Sequence, residues 1–302
     1  MKEHSSEQKH SPTRRQFLQA TGSTLAAGSV LATTPTWTEA SLLKNTAHTL
    51  HATKGNAIGE DEASMIERLQ ELKQLGFDGV ESHSPGIADI KALRRAMKKV
   101  DFPIHGLVNK VHWRQRLSDP DPKVRQIGQD AMQQAIKDAN FLGASSVLLV
   151  PGKVTGENEN HDQVWERSIK EIRKFMPLAS RLGVYVLIEN VWNGFCETPE
   201  EFRDYIDEID HPWCGAYFDI GNCRKFSPSE DWIRTLGERT IKLDVKDWGK
   251  ENGFCRLGEG DVNWKEVTKA LNEINFKGWA TREGADHDEA DTSKLMDKLL
   301  PV

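Results

Sequence analysis

The stretch WERSIKEIRKFMPLASRLGVYVLIE, residues 165–189, holds two elements and the turn between them. Trp165 to Leu182 carries apolar residues at helical spacing, and Gly183 is the kind of residue at which a helix stops. Val184 to Ile188 is then a short β-branched and aromatic run, the mark of a strand, and it ends on an acid, Glu189. The same unit recurs in both directions. Asp61 to Leu75 places Met65, Leu69, Leu72 and Leu75 on one helix face, and Lys123 to Leu142 runs to Gly143. Asp261, ahead of Val262-Asn263-Trp264-Lys265, offers a helix N-cap. Further strands are expected at 79–81, 103–107, 146–150, 215–219, 240–245 and 278–283, and an eighth at Ala47 to Ala52. Strands alternating with helices imply parallel βαβ units. The fold class is therefore α/β, a (β/α)8 TIM barrel of roughly 250 residues, in one domain over residues 41–302. No GxGxxG follows a strand and no Walker loop occurs, which argues against a nucleotide-binding doubly wound sheet.

The chain has 302 residues, 37% hydrophobic and 28% charged, with a mean hydropathy of -0.59. That composition builds a sizeable core and excludes disorder, collagen and a small disulfide scaffold. No run of about 18 apolar residues occurs, so a polytopic membrane protein is excluded. A net charge of -6 is a poor footing for neutralising phosphates, and no nucleic-acid partner is expected. Residues 1–40 read differently. A polar start leads to Thr13-Arg14-Arg15-Gln16-Phe17-Leu18, then a mildly apolar run from Ala20 to Ala32 and small residues to Ala40. These are the parts of an export signal, and the paired arginines resemble the twin-arginine type. The expected partner there is the twin-arginine export machinery, and the expected destination the periplasm. Cys196, Cys214, Cys223 and Cys255 show no CxxC or zinc-ribbon spacing and read as buried thiols, with one bridge left open by the oxidising compartment.

Acids stand where a barrel builds its active site. Glu189 ends the fifth strand, Asp219 the sixth and Glu283 the eighth, and Asp244 sits late in the seventh. Alternation turns Ile241, Leu243 and Val245 toward the helices, which points Lys242, Asp244 and Lys246 into the barrel. Four carboxylates aimed at one mouth repel one another unless a cation joins them, and an all-oxygen set favours Mg2+ or Mn2+ over zinc. The alternative is that each acid makes a private ion pair or caps a helix, and Lys242 and Lys246 offer Asp244 that choice.

Three segments carry a resemblance: Val186-Leu187-Ile188-Glu189-Asn190-Val191-Trp192-Asn193, Gly215 to Asn222, and Leu257-Gly258-Glu259-Gly260-Asp261-Val262-Asn263-Trp264. They resemble the xylose isomerase-like TIM-barrel superfamily, nearest to its sugar phosphate isomerase and epimerase group. His112-Trp113 with Leu117 to Pro122 is similar to the same group. The likeness runs from about Asp61 to Glu283. It implies a divalent metal held by Glu189, Asp219, the seventh-strand residue and Glu283, with Glu189 and Glu283 as the proton-transferring pair. Two positions depart from the pattern. The family usually has histidine where Asp244 stands, in a His-x-Lys-Asp motif that here reads Asp244-Val245-Lys246-Asp247. It commonly has another where this chain has Asn222. Aspartate for histidine makes the site more anionic and oxygen-only.

Such a site suits proton abstraction beside a carbonyl, with an enediolate stabilised by the cation, and a carbohydrate as the partner molecule. One of Glu189 and Glu283 removes the proton and the other returns one for epimerisation. Other candidates for substrate contact are His105, His112, Trp113, Trp192, Asn222 and Lys246. His105 is expected at the end of the third strand, as a sugar ligand or a satisfied rim histidine. Trp113 could pack on a sugar or anchor a loop, and Trp192 could wall the pocket or pack under the rim. His83, Lys153, Arg282 and Glu259 are minor lip candidates. Rival readings are a lyase or hydratase on 3-keto-glycosides using the same metal, and a non-catalytic sugar-binding protein. An endonuclease IV-like nuclease is disfavoured, because its zinc site needs histidines that Asn222 and Asp244 replace. An exported enzyme meets few sugar phosphates, which turns the expectation toward unphosphorylated sugars. A homo-oligomer is compatible with all of these.

Overall fold

The computed structural model describes residues 49–55, 58–284 and 288–301; the export signal expected at residues 1–40 lies outside them. Eight parallel strands close into a barrel: β1 (Leu50–Lys54), β2 (Gly79–Ser84), β3 (Ile104–Asn109), β4 (Ser146–Leu149), β5 (Tyr185–Glu189), β6 (Cys214–Asp219), β7 (Thr240–Val245) and β10 (Trp279–Arg282). They neighbour one another in that order, and β10 closes on β1 through Leu50 opposite Trp279 and Thr53 opposite Arg282.

The connecting helices are α1 (Glu62–Gln74), α2 (Ile90–Val100), α3 (Pro122–Leu142), α4 (His161–Leu182), α5 (Pro199–Ile209), α6 (Ile220–Cys223), α7 (Ser229–Leu236), α8 (Trp264–Glu273) and α9 (Glu289–Leu299). Their ends follow local chemistry. Asp61 and Ser64 form a capping box on α1, as do Asn160 and Gln163 on α4. Gly143 and Gly183 end α3 and α4 in the left-handed conformation, at φ 82 and 67. At α8 the cap is Asn263, which accepts from Glu266 N–H, and not Asp261. Asp261 instead accepts from Lys250 N–H.

Between strands and helices lies the main apolar core, to which Leu243 and Val245 of β7 contribute as alternation requires; Ile241, skipped by the register shift between β6 and β7, packs instead against the cluster of Val108, Leu148, Leu187 and Tyr217. Inside the barrel that small cluster lies beside several polar contacts. Lys242 on β7 reaches across to His105 on β3, donating to its Nδ1 at 3.0 Å and its carbonyl at 2.7 Å. Tyr217 on β6 bonds Thr281 on β10 at 2.6 Å. His105 therefore does not end its strand. It is the second residue of β3, buried and stacked on Trp279 at 4.4 Å, below the mouth where a sugar would sit. β1 overlaps the strand expected at Ala47 to Ala52 over residues 50–52 and runs on to Lys54, while Ala47 and His48 lie outside the described residues.

Besides the short extra helix α6, a hairpin stands outside the expected alternation. Residues after β7 form an antiparallel hairpin, β8 (Asp247–Gly249) with β9 (Gly253–Cys255), at the C-terminal end of the barrel. The four cysteines are free thiols, three of them buried.

Candidate active site

The four carboxylates meet. Glu189 is the last residue of β5, Asp219 the last of β6, Asp244 the fifth of β7, and Glu283 lies one residue past β10. One oxygen from each lies within 4.8 Å of the others. Asp219 and Asp244 are fully buried, Glu189 nearly so, and the Glu283 side chain is 32% exposed. Asp219 is held by the turn that follows it: its Oδ1 accepts from Gly221 and Asn222 N–H at 2.9 and 2.7 Å. Asn190 clamps the same strand end, accepting from Asp219 N–H at 2.7 Å and donating to its carbonyl at 2.9 Å. Gly221 has to be glycine here, since a Cβ would stand 2.6 Å from Lys246 Cβ and 2.9 Å from its backbone.

Two lysines enter the cluster. Lys54, from the end of β1, donates to Asp244 Oδ2 and Glu283 Oε2, both at 2.7 Å. Lys246 lies 2.9 Å from Asp219 Oδ2 and 3.1 Å from Glu283 Oε2. Lys246 was a candidate on sequence grounds and Lys54 was not. Burial opposes charge on both ammonium groups, but the neighbouring carboxylates outweigh it and keep them protonated. The two glutamates are driven apart. Burial, then repulsion from Glu283, pushes the Glu189 carboxyl up to about 8. Burial also acts on Glu283, but Lys54 and Lys246 overcome it and hold that carboxyl well below the usual range. Burial raises Asp219 and Asp244 as well.

The remaining sequence candidates divide. His112 is buried at the start of the loop after β3, and its Nδ1 accepts from Val150 N–H at 3.1 Å. Burial, then Lys54, lowers its imidazole to about 3, so the ring is neutral with its proton on Nε2, available as a donor. Trp113 meets it edge-on at 5.6 Å and is 45% exposed. Trp192 donates from Nε1 to the Asn222 carbonyl at 2.8 Å and stacks on Phe254 of the hairpin at 4.7 Å. Asn222 is turned to internal use: its side-chain amide donates to the Asn190 carbonyl at 3.0 Å, holding the two strand-end loops together. Among the minor candidates, Glu259 pairs with Arg256 at the surface.

Phe254 and Asp247 were not foreseen as site residues. Phe254 is half exposed, and Lys246 Nζ lies 5.5 Å from its ring centre, so Phe254 and Trp192 make an aromatic lip beside the carboxylates. Asp247 fixes that lip. Its carboxylate accepts from Trp248, Gly258 and Val262 N–H and from Trp264 Nε1, tying the hairpin to the Leu257–Trp264 segment.

A parallel eight-stranded barrel with acids converging at the C-terminal strand ends defines a class: a TIM barrel with a candidate metal centre at its mouth. Comparison with known proteins narrows it. Residues 69–300 match the family described as the xylose isomerase-like TIM barrel, and the chain belongs to that family. It is 25% identical over 252 residues to the L-ribulose-5-phosphate 3-epimerase UlaE of Escherichia coli (strain K12 / DH10B), spanning 77% of this chain and 87% of that protein. It is 25% identical over 257 residues to the uncharacterized protein MJ1311 of Methanocaldococcus jannaschii, spanning 79% and 86%. Among solved structures it is similar in fold to the D-allulose 3-epimerase from Methylomonas sp., with a TM-score of 0.72 at 16% identity over 84% of this chain and 96% of that one. The 3-keto-D-glucoside 4-epimerase YcjR from E. coli gives 0.71 at 16% identity over 84% and 100%.

Proposed function

We propose that the protein is a sugar epimerase, an isomerase-class enzyme that exchanges a proton at a carbon beside a carbonyl in an unphosphorylated ketose, aldose or keto-sugar. The sugar-epimerase relatives and structural neighbours support the class. The observation that carries the reading is the convergence of Glu189, Asp219, Asp244 and Glu283 within 4.8 Å.

The residues present fit a divalent cation. Asp244 Oδ1 is buried with no hydrogen-bond donor, and the donor set is all oxygen, which suits the hard ions Mn2+ and Mg2+. Glu189, Asp219, Asp244 and Glu283 would hold such an ion, which would supply electrostatic stabilisation for negative charge developing on the substrate oxygens. The chain's own groups do the rest. One of Glu189 and Glu283 accepts the carbon-bound proton and the other delivers one to the opposite face. His112 offers its Nε2–H to a sugar oxygen, and the Trp192–Phe254 lip packs against C–H faces. With all four carboxyls ionised around a divalent ion, Lys54 and Lys246 cancel two of their charges and the ion the other two, so the loaded cluster would have no positive surplus to attract a phosphate. This supports a neutral sugar, and so does export: the twin-arginine leader is read as sending the enzyme to the periplasm, away from cytoplasmic sugar phosphates.

The test is exchange of deuterium from D2O into free and 3-keto sugars with Mn2+ added. Glu189→Gln and Glu283→Gln should each abolish exchange with at least about a 10³-fold loss while circular dichroism stays unchanged. Undiminished exchange in both variants sinks the proposal.

A further inference from the structure

Three of the four carboxylates at the mouth are bridged by just two ammonium groups. Lys54 Nζ sits 2.7 Å from Asp244 Oδ2 and 2.7 Å from Glu283 Oε2, with its side chain 11% exposed. Lys246 Nζ joins Glu283 Oε2 to Asp219 Oδ2. On its other oxygen, Oδ1, Asp244 is buried and lacks a donor. We propose that Lys54 is a tethered counter-cation: it holds the carboxylates together when no metal is bound and weakens their grip on a divalent ion when one enters. The inference rests on reading the four carboxylates as a cation site.

Charge and reach both lead there. Four carboxylates this close in a buried setting repel one another strongly once all are ionised, as ligating a cation would require. Lys54 and Lys246 return two positive charges, so with all four carboxyls ionised around a divalent ion the two charges that remain are the two it cancels. Lys54 arrives from β1, on the far side of β10 from Asp244, and its ammonium also lies 4.0 Å from Glu81 Oε2 and 5.6 Å from the centre of the Tyr217 ring. The side chain is thus lodged inside the barrel, where the buried Glu81 carboxylate stands within reach and keeps the ammonium close to the cluster even if it shifts. An entering ion has two routes. It can take Asp244 Oδ2 and Glu283 Oε2 from Lys54, breaking two charge-assisted hydrogen bonds. It can otherwise bind through free oxygens such as Asp244 Oδ1, with an ammonium group remaining a few ångströms away. Positive charge opposes the ion on either route. The expected result is a protein that stays folded without metal and binds it reversibly.

The experiment uses the whole chain, purified metal-free, with Mn2+ as the probe. Binding is followed by loss of the free-ion EPR signal and by calorimetry, independently of any substrate. Lys54→Met is expected to bind Mn2+ at least about tenfold more tightly than the wild type. Its metal-free form should melt at a lower temperature, and Mn2+ should raise its Tm by more than it raises that of the wild type. Lys54→Arg keeps the charge and should stay near the wild-type affinity. Lys265→Met, on the exposed face of α8, removes a distant positive charge and should change neither quantity. Should Lys54→Met fail to fold, Lys54→Gln serves in its place. Equal or weaker Mn2+ binding by folded uncharged variants, with normal binding by the wild type, overturns the role of Lys54 and leaves the cation site standing. No Mn2+ binding by wild type or variant overturns both. Binding by the variant alone supports the proposal in its strongest form, with Lys54 excluding the ion.

Discussion

Two histidines inside the molecule make its acid stability readable. Burial holds the His112 imidazole at about 3, and burial with Lys242 beside it pushes His105 well below the ordinary histidine value. The unfolded chain takes up these protons near pH 6.5, and the folded chain does not. Their contribution to stability is therefore whole above about pH 6.5 and is lost as the pH falls toward 3 for His112. Each group costs about 1.4 kcal/mol per pH unit across its window. The raised carboxyls of Glu189, Asp219 and Asp244 act in the opposite sense, so the informative quantity is a difference between proteins. Replacing His112 with Gln should lower the acid-side slope of unfolding free energy by about 1 kcal/mol per pH unit relative to wild type. Urea unfolding at pH 4.5, 5.5 and 6.5 measures it, and parallel slopes would refute a buried neutral His112. The two histidines also show what alternation alone misses. His105 has the residue type and strand position of a sugar ligand, yet Lys242, Thr281 and Trp279 enclose it inside the barrel.

At the scale of elements, the β8–β9 hairpin depends on one side chain. Four donors converge on the Asp247 carboxylate, and the backbone of Gly260 passes so near that a Cβ there would stand 2.1 Å from Oδ1. Asp247→Ala strands buried N–H groups and the Trp264 indole, at a cost of about 2–3 kcal/mol. It also loosens Phe254, so KM for a sugar should rise more than kcat falls. Steady-state kinetics with a melting curve checks this, and an unchanged KM would separate the hairpin from substrate binding. The hairpin was not legible in the sequence, because its strands are three residues each and read as a loop between β7 and α8. The positions of β3 to β7 were legible as largely apolar or β-branched runs, whereas β2 is mostly polar and runs from the expected 79–81 on to Ser84, and β10 was found from its short aromatic start. β1 was read short: a strand at 47–52 stops two residues before Lys54, and with it the residue that bonds Asp244 and Glu283 disappears from view. Three of the four acids could be assigned from their place at a strand end and Asp244 from parity, whereas Lys54 depends on register.

Closure of the barrel explains how a site spread from residue 54 to residue 283 is assembled. β10 lies between β1 and β7, so the first strand brings an ammonium group to acids that the chain makes some 190 residues later. Long-range contacts of this kind require the whole barrel to form before the cluster exists, and metal can be captured only by folded protein. That bears on the export signal read at Thr13 to Leu18. On that reading the twin-arginine route, which carries proteins already folded, would let the proposed oxygen-only site fill where Mn2+ or Mg2+ meets less competition from tighter-binding copper and zinc. Replacing Arg14 and Arg15 with Lys should then hold the protein in the cytoplasm with its barrel intact. Fractionation with an antibody to the chain should find wild type in the periplasm and the double variant in the cytoplasm, and both purified proteins should give the same melting curve. Rerouting the barrel through a secretion path for unfolded chains should deliver protein carrying a different metal complement when each form is analysed for Mn, Mg, Zn and Cu. Equal location of wild type and double variant would remove the export reading, and with it the compartment argument for an unphosphorylated substrate, while the charge balance at the carboxylates would still favour a neutral sugar.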